Sequence, residues 1–282
     1  MTTRFEQLTE PIARHGEGPV WDDERGLLLM VDIPAGDVLT LDLTVLAVVD
    51  RQHVGTSVGA VRPRRSGGLV AGVATGFAMV DPDRTVRALD PLWPGADVRM
   101  NDGSCDPSGA FWCGSMALDE SPGRGELWRL DPGGSPTRVM TGVSISNGLA
   151  FDDDGAGAFY VDSPTGRIDR LTLDDGTVVG REPWARVEVG GGVPDGICRD
   201  TEGGLWVCVY SGGAVVRLDA QGRVDVVVEV PTPRPTACAF GGPDLDVLYV
   251  TTSAVGVDDG RSGALFAMVP GVRGLPAHRF AG

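Results

Sequence analysis

The chain has 282 residues, of which 39 are Asp or Glu and 24 are Lys or Arg, so its formal net charge is −15 at pH 7. A chain this acidic repels phosphate backbones and anionic membrane surfaces, which argues against nucleic-acid and membrane partners. It also contains 42 Gly and 20 Pro residues scattered among short apolar runs, and no window of a dozen residues shows helical periodicity. This composition predicts an all-β protein with little helix.

The first fifteen residues contain Arg4, Glu6 and Arg14 but no apolar stretch, so we expect neither a signal peptide nor a membrane anchor. No apolar run approaches the roughly 20 residues that a membrane-spanning helix needs. The five cysteines are an odd number without a CxxC pair, which predicts buried free thiols in a reducing cytoplasm. They are Cys105, Cys113, Cys198, Cys208 and Cys238. No change of composition suggests a linker, so residues 1–282 are predicted to form a single domain.

A two-residue motif recurs six times along the chain, each time at the head of a short apolar strand. The copies are Glu17-Gly18, Val58-Gly59, Asp102-Gly103, Asn147-Gly148, Asp195-Gly196 and Thr236-Ala237. They are 41 to 48 residues apart, a period that is typical of propellers, and glycine-bounded β-branched and aromatic runs follow each copy. The repeat predicts a six-bladed β-propeller with four antiparallel strands per blade. To close the ring, the residues before Glu17 should complete the last blade with the segment from Ala264 to Val269.

The motif residues themselves suggest a site on the axis of the propeller. The first strand of each blade lines the central channel, so equivalent residues of different blades converge. Glu17, Asn147 and Asp195, with Asn101 or Asp102, would surround one point with carboxylate and amide oxygens. Such clustered charge is unfavourable unless a cation occupies the centre. The alternative interpretation is that the Asx-Gly pairs are hairpin turns, although Glu-Gly has no such preference.

An all-oxygen ligand set predicts one hard divalent ion, with Ca²⁺ preferred over Mg²⁺ or Mn²⁺ and with oxygen-bound Zn²⁺ as a further alternative. The three histidines, His15, His53 and His278, do not occupy ring positions. We expect His15 to point away from Glu17, toward the other face of an extended segment.

Six motifs in this order resemble the signatures of the SMP-30/gluconolactonase/regucalcin-like family over almost the whole chain. They are Gly16-Glu17-Gly18-Pro19-Val20-Trp21, Val31-Asp32-Ile33-Pro34, Arg99-Met100-Asn101-Asp102-Gly103, Ser146-Asn147-Gly148-Leu149-Ala150, Pro194-Asp195-Gly196 and Cys238-Ala239-Phe240-Gly241-Gly242. The resemblance implies a six-bladed propeller with a divalent metal ion at the channel mouth. It also implies that Glu17, Asn147 and Asp195 hold this ion and that the protein hydrolyses a sugar lactone.

The resemblance further implies roles for individual residues in that reaction. Arg99 and Asn101 would contact the lactone, and Asp195 would serve as general base as well as metal ligand. The family often has a substrate-contacting glutamate after a Gly-Thr-Met segment; here Gly114-Ser115-Met116-Ala117 is followed by Leu118-Asp119-Glu120. We take Asp119 as its counterpart.

The residue types by themselves fit this chemistry, because a divalent ion polarises an ester carbonyl and a carboxylate can deprotonate the attacking water. Arg99 would orient the substrate, unless it forms a salt bridge with Asp97 or Asp102. Two other functions stay open: hydrolysis of another ester, such as an organophosphate or a larger lactone, and calcium binding without catalysis. The expected partner is a small molecule, and the protein is expected to be a monomer or a weak homo-oligomer.

Overall fold

The computed structural model describes residues 4–282, so residues 1–3 of the predicted domain lie outside the described part. Twenty-four strands form six four-stranded antiparallel sheets, which are arranged as the blades of a propeller. The prediction of six blades with four strands each is confirmed. In the described residues, the helical elements are two three-residue 3₁₀ segments, Ile33–Ala35 and Ser163–Thr165. No helix there is long and apolar enough to cross a bilayer.

In each blade the first strand lies innermost and contacts the first strands of the neighbouring blades. Blade one contains β2 (Gly16–Asp22), β3 (Leu27–Asp32), β4 (Asp37–Asp42) and β5 (Ala47–His53). Blade two contains β6 (Val58–Pro63), β7 (Leu69–Val73), β8 (Gly76–Val80) and β9 (Val86–Ala88). Blade three contains β10 (Val98–Cys105), β11 (Phe111–Ala117), β12 (Gly125–Leu130) and β13 (Pro136–Val143). Blade four contains β14 (Ser146–Phe151), β15 (Gly157–Asp162), β16 (Arg167–Asp174) and β17 (Thr177–Arg186). Blade five contains β18 (Val193–Arg199), β19 (Leu205–Tyr210), β20 (Ala214–Leu218) and β21 (Val224–Glu229). The sixth blade contains β22 (Pro235–Gly241), β23 (Val247–Thr252), β24 (Phe266–Met268) and β1 (Glu6–Gln7).

The sixth blade closes the ring with strands from both ends of the chain. Strand β1 pairs antiparallel with β24, and Glu6 lies opposite Ala267. The predicted closure is therefore confirmed. The segment after β24 runs back to blade two, where the N–H of Phe280 donates to the carbonyl of Pro63 and the Phe280 ring is fully buried.

The apolar core consists of six clusters, one between each pair of neighbouring blades. The apolar residues of strand β3 belong alternately to two of these clusters. Leu28 and Met30 pack toward blade six, whereas Leu29 and Val31 pack toward blade two. Because successive side chains of a strand point to opposite faces, a strand between two blades must be apolar on both. This explains the continuous apolar runs of the sequence.

Candidate metal centre and substrate cavity

The predicted ring residues meet in a cavity of about 330 Å³ at one end of the central channel. Glu17 lies on β2, Asn147 on β14 and Asp195 on β18, and all three are buried. The cavity lining consists of His15, Glu17, Arg99, Asn101, Met116, Glu120, Ile145, Asn147, Ser163, Pro164, Val193, Asp195 and Tyr210. Residues far apart in the sequence are thus brought together because each occupies the same place on an innermost strand.

A β-bulge interrupts the pairing of every innermost strand at its copy of the motif. The register shifts lie between Glu17 and Val20 in β2, between Asn147 and Leu149 in β14 and between Pro194 and Ile197 in β18. The other three innermost strands shift at the same place. A bulge re-aims a side chain without ending the strand, so these residues can face the channel. The interpretation of the pairs as hairpin turns is therefore wrong.

In three copies of the motif the glycine allows neighbouring innermost strands to approach one another closely: Gly59, Gly148 and Gly196. A Cβ atom on Gly148 would lie 2.6 Å from the main-chain oxygen of Asp195. A Cβ on Gly59 would collide in the same way with the carbonyl of Asn101. A larger residue at these positions would force the strands apart and widen the ring of oxygen atoms.

Two buried carboxylates in the cavity, Glu17 and Asp195, form no ion pair within the described residues, although Glu17 Oε2 accepts the N–H of Gly18 at 2.6 Å. The Oδ1 atom of Asp195 is buried and has no hydrogen-bond donor among residues 4–282. Burial, and then the charge of Asp102, raises the pKa of Asp195 well above its ordinary value. Burial, followed by the charges of Asp195 and Asp102, also raises the pKa of Glu17 well above its ordinary value. Unpaired buried anions of this kind are strongly unfavourable, so the pair fits a bound cation.

The third predicted ligand is neutral, and a chain of hydrogen bonds fixes its orientation. Arg99 donates from Nη1 to Oδ1 of Asn101 at 2.7 Å, and Asn101 donates from Nδ2 to Oδ1 of Asn147 at 3.0 Å. Asn147 in turn donates from Nδ2 to Oγ of Ser163 at 2.8 Å. Because a guanidinium can only donate, it determines which way both amides are turned. The amide oxygen of Asn147 is thereby positioned as a donor atom for a hard cation.

Asn101 and Asp102 occupy different environments, although both were candidates for the ring. Asn101 lines the cavity, whereas Asp102 is not part of its lining. The Asp102 carboxylate accepts the N–H of Gly103 at 2.7 Å. Burial raises the pKa of Asp102, and the nearby guanidinium of Arg62 opposes that rise. Asp102 thus adds negative potential to the channel from outside the cavity.

Arg99 makes no ion pair within 4.0 Å in the part of the chain that the structure describes. Asp97 is largely exposed and pairs instead with Arg124 at 3.9 Å. Besides Asn101, Arg99 donates to the carbonyl of Met100. The salt-bridge alternative for Arg99 is therefore not observed, and its charge faces the cavity.

The structure separates Asp119 from the other predicted substrate residues. Asp119 does not belong to the cavity lining, its side chain is 64% exposed, and it lies 3.9 Å from Arg124. The next residue, Glu120, lines the cavity and has a left-handed backbone with φ of 57°. The turn after β11 thus places Glu120, which is exposed, rather than Asp119 at the edge of the cavity, and the spacing of the motif did not indicate this.

His15 lines the cavity, contrary to the expectation that it would point away from Glu17. Residues two apart in an extended segment share a face, so the spacing itself should have identified it. Its Nδ1 lies 2.9 Å from Oγ of Ser253, which also accepts the N–H of Val255 at 3.2 Å. Burial, and then the charges of Arg99 and Arg234, lowers the pKa of His15 to about 4, so the ring is neutral at pH 7.

The tautomer of His15 follows from these contacts. Among residues 4–282 the hydroxyl hydrogen of Ser253 has no acceptor other than Nδ1 of His15. We assign Nδ1 as the acceptor of this hydrogen bond, which puts the ring hydrogen on Nε2. Nε2 has no protein partner in the described residues. The cavity therefore contains one neutral N–H donor in addition to the Arg99 guanidinium.

No group of three His, Cys, Asp or Glu side chains in residues 4–282 is arranged to hold a metal ion. The convergent set here consists of two carboxylates and one amide, Glu17, Asp195 and Asn147. Such oxygen-only sets suit hard ions such as Ca²⁺.

Comparisons with known proteins agree with the architecture. The family described as "SMP-30/Gluconolactonase/LRE-like region" matches residues 15–254. The regucalcin of Danio rerio is 34% identical over 280 residues, which cover 95% of each chain. The regucalcin of Xenopus laevis is 35% identical over 298 residues, which cover 99% of each.

A solved structure described as a calcium-binding protein, regucalcin, from Agrobacterium tumefaciens has a TM-score of 0.91, with 27% identity. The alignment covers 97% of this chain and 96% of that one. A luciferin-regenerating enzyme has a TM-score of 0.89 and 27% identity, over 98% of this chain and 99% of its own. The chain belongs to the SMP-30/gluconolactonase/LRE-like family.

Proposed function

We propose that this protein is a metal-dependent lactonase that opens sugar lactones to the corresponding aldonic acids. The observation that carries the proposal is the unpartnered, buried Oδ1 of Asp195 in a cavity that also contains Glu17 and Asn147. The family match supports the reaction class, because the family takes part of its name from gluconolactonase.

Glu17, Asn147 and Asp195 would hold one divalent ion, for which Ca²⁺ is the first candidate and Mg²⁺, Mn²⁺ and Zn²⁺ are the alternatives. When bound, such an ion polarises the ester carbonyl and acidifies a water molecule. The carboxylates of Glu17 and Asp195 together carry two negative charges, which would balance the two positive charges of the ion. The Arg99–Asn101–Asn147 chain of hydrogen bonds keeps the neutral ligand in place before the substrate arrives.

Asp195 is the proposed general base. Its carboxylate would lie beside the ion and could deprotonate the water molecule that the ion acidifies. Arg99 and Asn101 would orient the lactone hydroxyls and the carboxylate of the product, and the Nε2–H of His15 would donate to a further substrate oxygen. Glu120 takes the role that the motif assigned to Asp119, because Glu120 lines the cavity and its carboxylate could accept hydrogen bonds from sugar hydroxyls.

The polar groups of the cavity can bind the hydroxyls of a sugar, although apolar atoms make up more of its lining surface. The apolar part comes from Met116, Ile145, Pro164 and Val193. An organophosphate or a larger lactone would leave the buried polar groups unpaired, at a cost of about 1–3 kcal/mol for each group. A sugar lactone has a hydroxyl group on most ring carbons and can satisfy them.

Calcium binding without catalysis is the second candidate, favoured by the calcium-binding description of the Agrobacterium structure. Arg99, His15 and Glu120 lie beside the proposed metal ligands. Their presence favours lactone hydrolysis over calcium binding alone, because a site that only binds calcium does not need them.

The experiment is an acid-release assay on a panel of five- and six-membered aldonolactones with calcium-loaded protein, chelated protein and the Asp195→Asn variant. We expect opening above the buffer rate only with metal, and a loss in the variant that exceeds its loss of metal affinity. If no lactone is opened faster than in buffer while calcium still binds, the sugar-lactonase proposal is wrong. If the variant keeps the wild-type rate at saturating metal, Asp195 is not the base.

A further inference from the structure

A second cavity, of about 310 Å³, is present at the other end of the channel, beneath the C-terminal segment. Leu275, Pro276, Ala277 and His278 of that segment form part of its wall. Three cysteines also line it: Cys105, Cys198 and Cys238. The proposed lactonase site contains none of these residues, so the second cavity is separate from that site.

Two of these thiols are close enough to react with each other. Cys198 lies on β18 and Cys238 on β22, the innermost strands of blades five and six, and their Sγ atoms are 3.5 Å apart. A disulfide has an S–S length of about 2.05 Å, so each sulfur has to move by less than about 1 Å. All five cysteines are free in the structure.

The two thiols differ in environment, which suggests a reactive and a resolving partner. Cys238 is 4% exposed, whereas Cys198 is only partly buried. Hydrogen bonds from the thiols of Cys198 and then Cys208 lower the pKa of Cys238 below its ordinary value. The thiolate is the form of cysteine that attacks oxidants. Burial raises the pKa of Cys105, the third thiol of the cavity, to about 12, and burial followed by the hydrogen bond to Cys238 raises the pKa of Cys198 as well, so Cys198 is assigned as the resolving partner.

We propose that Cys198 and Cys238 form a peroxide-sensitive dithiol that closes to a disulfide between blades five and six. The Cys238 sulfur attacks hydrogen peroxide, the O–O bond breaks, one oxygen stays on sulfur as a sulfenic acid and the other leaves as hydroxide, which is protonated to water. The Cys198 sulfur then attacks the sulfenic acid, so that the S–S bond forms, the S–O bond breaks and a second water leaves. Two thiols and one peroxide thus give one disulfide and two waters.

The disulfide would link positions 40 residues apart, on strands that carry no hydrogen-bond ladder between them. A cross-link of this kind removes conformations from the unfolded chain and stabilises the folded one. We therefore expect the oxidised protein to melt several degrees above the reduced protein.

The test is to treat fully reduced wild-type protein with hydrogen peroxide and to measure intact mass, tryptic peptides without reductant and thermal midpoint. We expect a loss of about 2 Da that dithiothreitol reverses. The chain contains no lysine, so trypsin places Cys198 in residues 187–199, Cys208 in 200–217 and Cys238 in 224–261. A cross-link between the first and the third peptide supports the proposal. Dominant Cys208–Cys238 linkage, or sulfinic acid without any cross-link, overturns it.

Variants provide the matched control and do not depend on lactonase activity. Cys198→Ala should prevent the cross-link, whereas Cys105→Ala, which removes a thiol from the same cavity, should leave it intact. A cross-linked product of the same yield in Cys198→Ala would refute the assignment. Because wild-type peptide mapping needs no mutation, a variant that fails to fold does not weaken the test.

Discussion

The carboxylate of Asp32 accepts the main-chain N–H of His15 at 3.0 Å and so fixes the segment that brings Glu17 into the cavity. The same relationship recurs in blade four, where Asp162 accepts the N–H of Ile145, two residues before Asn147. Glu17 and Asn147, two of the three proposed metal ligands, are therefore held by a repeated contact between the second strand of a blade and the backbone of the segment before its first strand.

Asp32→Asn should destabilise the protein and weaken metal binding. Asp32 is buried and also accepts the N–H of Arg14. Hydrogen bonds to charged groups contribute about 1.5–3 kcal/mol each, so we expect a loss of about 1–3 kcal/mol in the free energy of unfolding. Urea unfolding and calcium titration calorimetry measure the two effects. Asp42→Asn is the control, because Asp42 accepts equivalent bonds from Thr44 in an exposed turn. Equal effects of the two variants would contradict the role of Asp32.

Asp195→Asn should stabilise the metal-free protein while removing the stabilisation by metal. The substitution removes one of the buried like charges that raise the pKa of Glu17. Wild-type protein should gain about 2.7 kcal/mol when free calcium is 100 times its Kd, and the variant much less at the same concentration. Urea unfolding with chelator and with calcium gives both values. A variant that is less stable than wild type in chelator would show that the repulsion is not significant.

His15→Gln and His15→Asn should separate the role of the Nε2 donor from that of the ring. Glutamine can place an amide N–H near the position of Nε2, whereas asparagine reaches only as far as Nδ1. A neutral hydrogen bond is worth about 0.5–1.5 kcal/mol, so His15→Asn should lose roughly three- to tenfold in kcat/KM on the best lactone, and His15→Gln less. Metal affinity should be unchanged in both. Equal losses in the two variants would assign His15 a packing role only.

Acidification should reveal the contribution of Asp200 to stability. Asp200 is buried and accepts from Trp206 Nε1 at 2.9 Å, Gly204 N at 2.8 Å and Arg217 Nε at 2.7 Å. Burial favours a higher pKa, but Arg217 and the N–H donors outweigh it, so the pKa of Asp200 lies below its ordinary value.

Because the folded pKa is the lower one, the stabilisation is complete above the unfolded value of about 3.9 and is lost as the pH falls through the folded pKa. Asp200→Asn should therefore be less stable at neutral pH and should show a shallower loss of stability below about pH 4. Urea unfolding across this range tests it. Asp83→Asn, in an exposed turn where Asp83 accepts the N–H of Thr85, should keep the wild-type slope.

The sequence by itself predicted the six blades, the closing strands and the convergence of Glu17, Asn147 and Asp195. Its repeat is a local property: each copy encodes the same strand with the same bulge, and equal spacing around an axis turns equivalent positions into neighbours. Each copy of the repeat forms one blade of the closed ring, so the number of copies predicts the number of blades.

Only the tertiary structure decided which of two adjacent side chains faces the cavity. Asn101 rather than Asp102 lines it, and so does Glu120 rather than Asp119, because a bulge in β10 and a left-handed residue after β11 shift the alternation of faces by one residue. The Cys198–Cys238 contact likewise joins two blades across 40 residues. Side-chain direction at a bulge and contact between blades depend on backbone geometry and on non-local packing, which motif spacing does not encode.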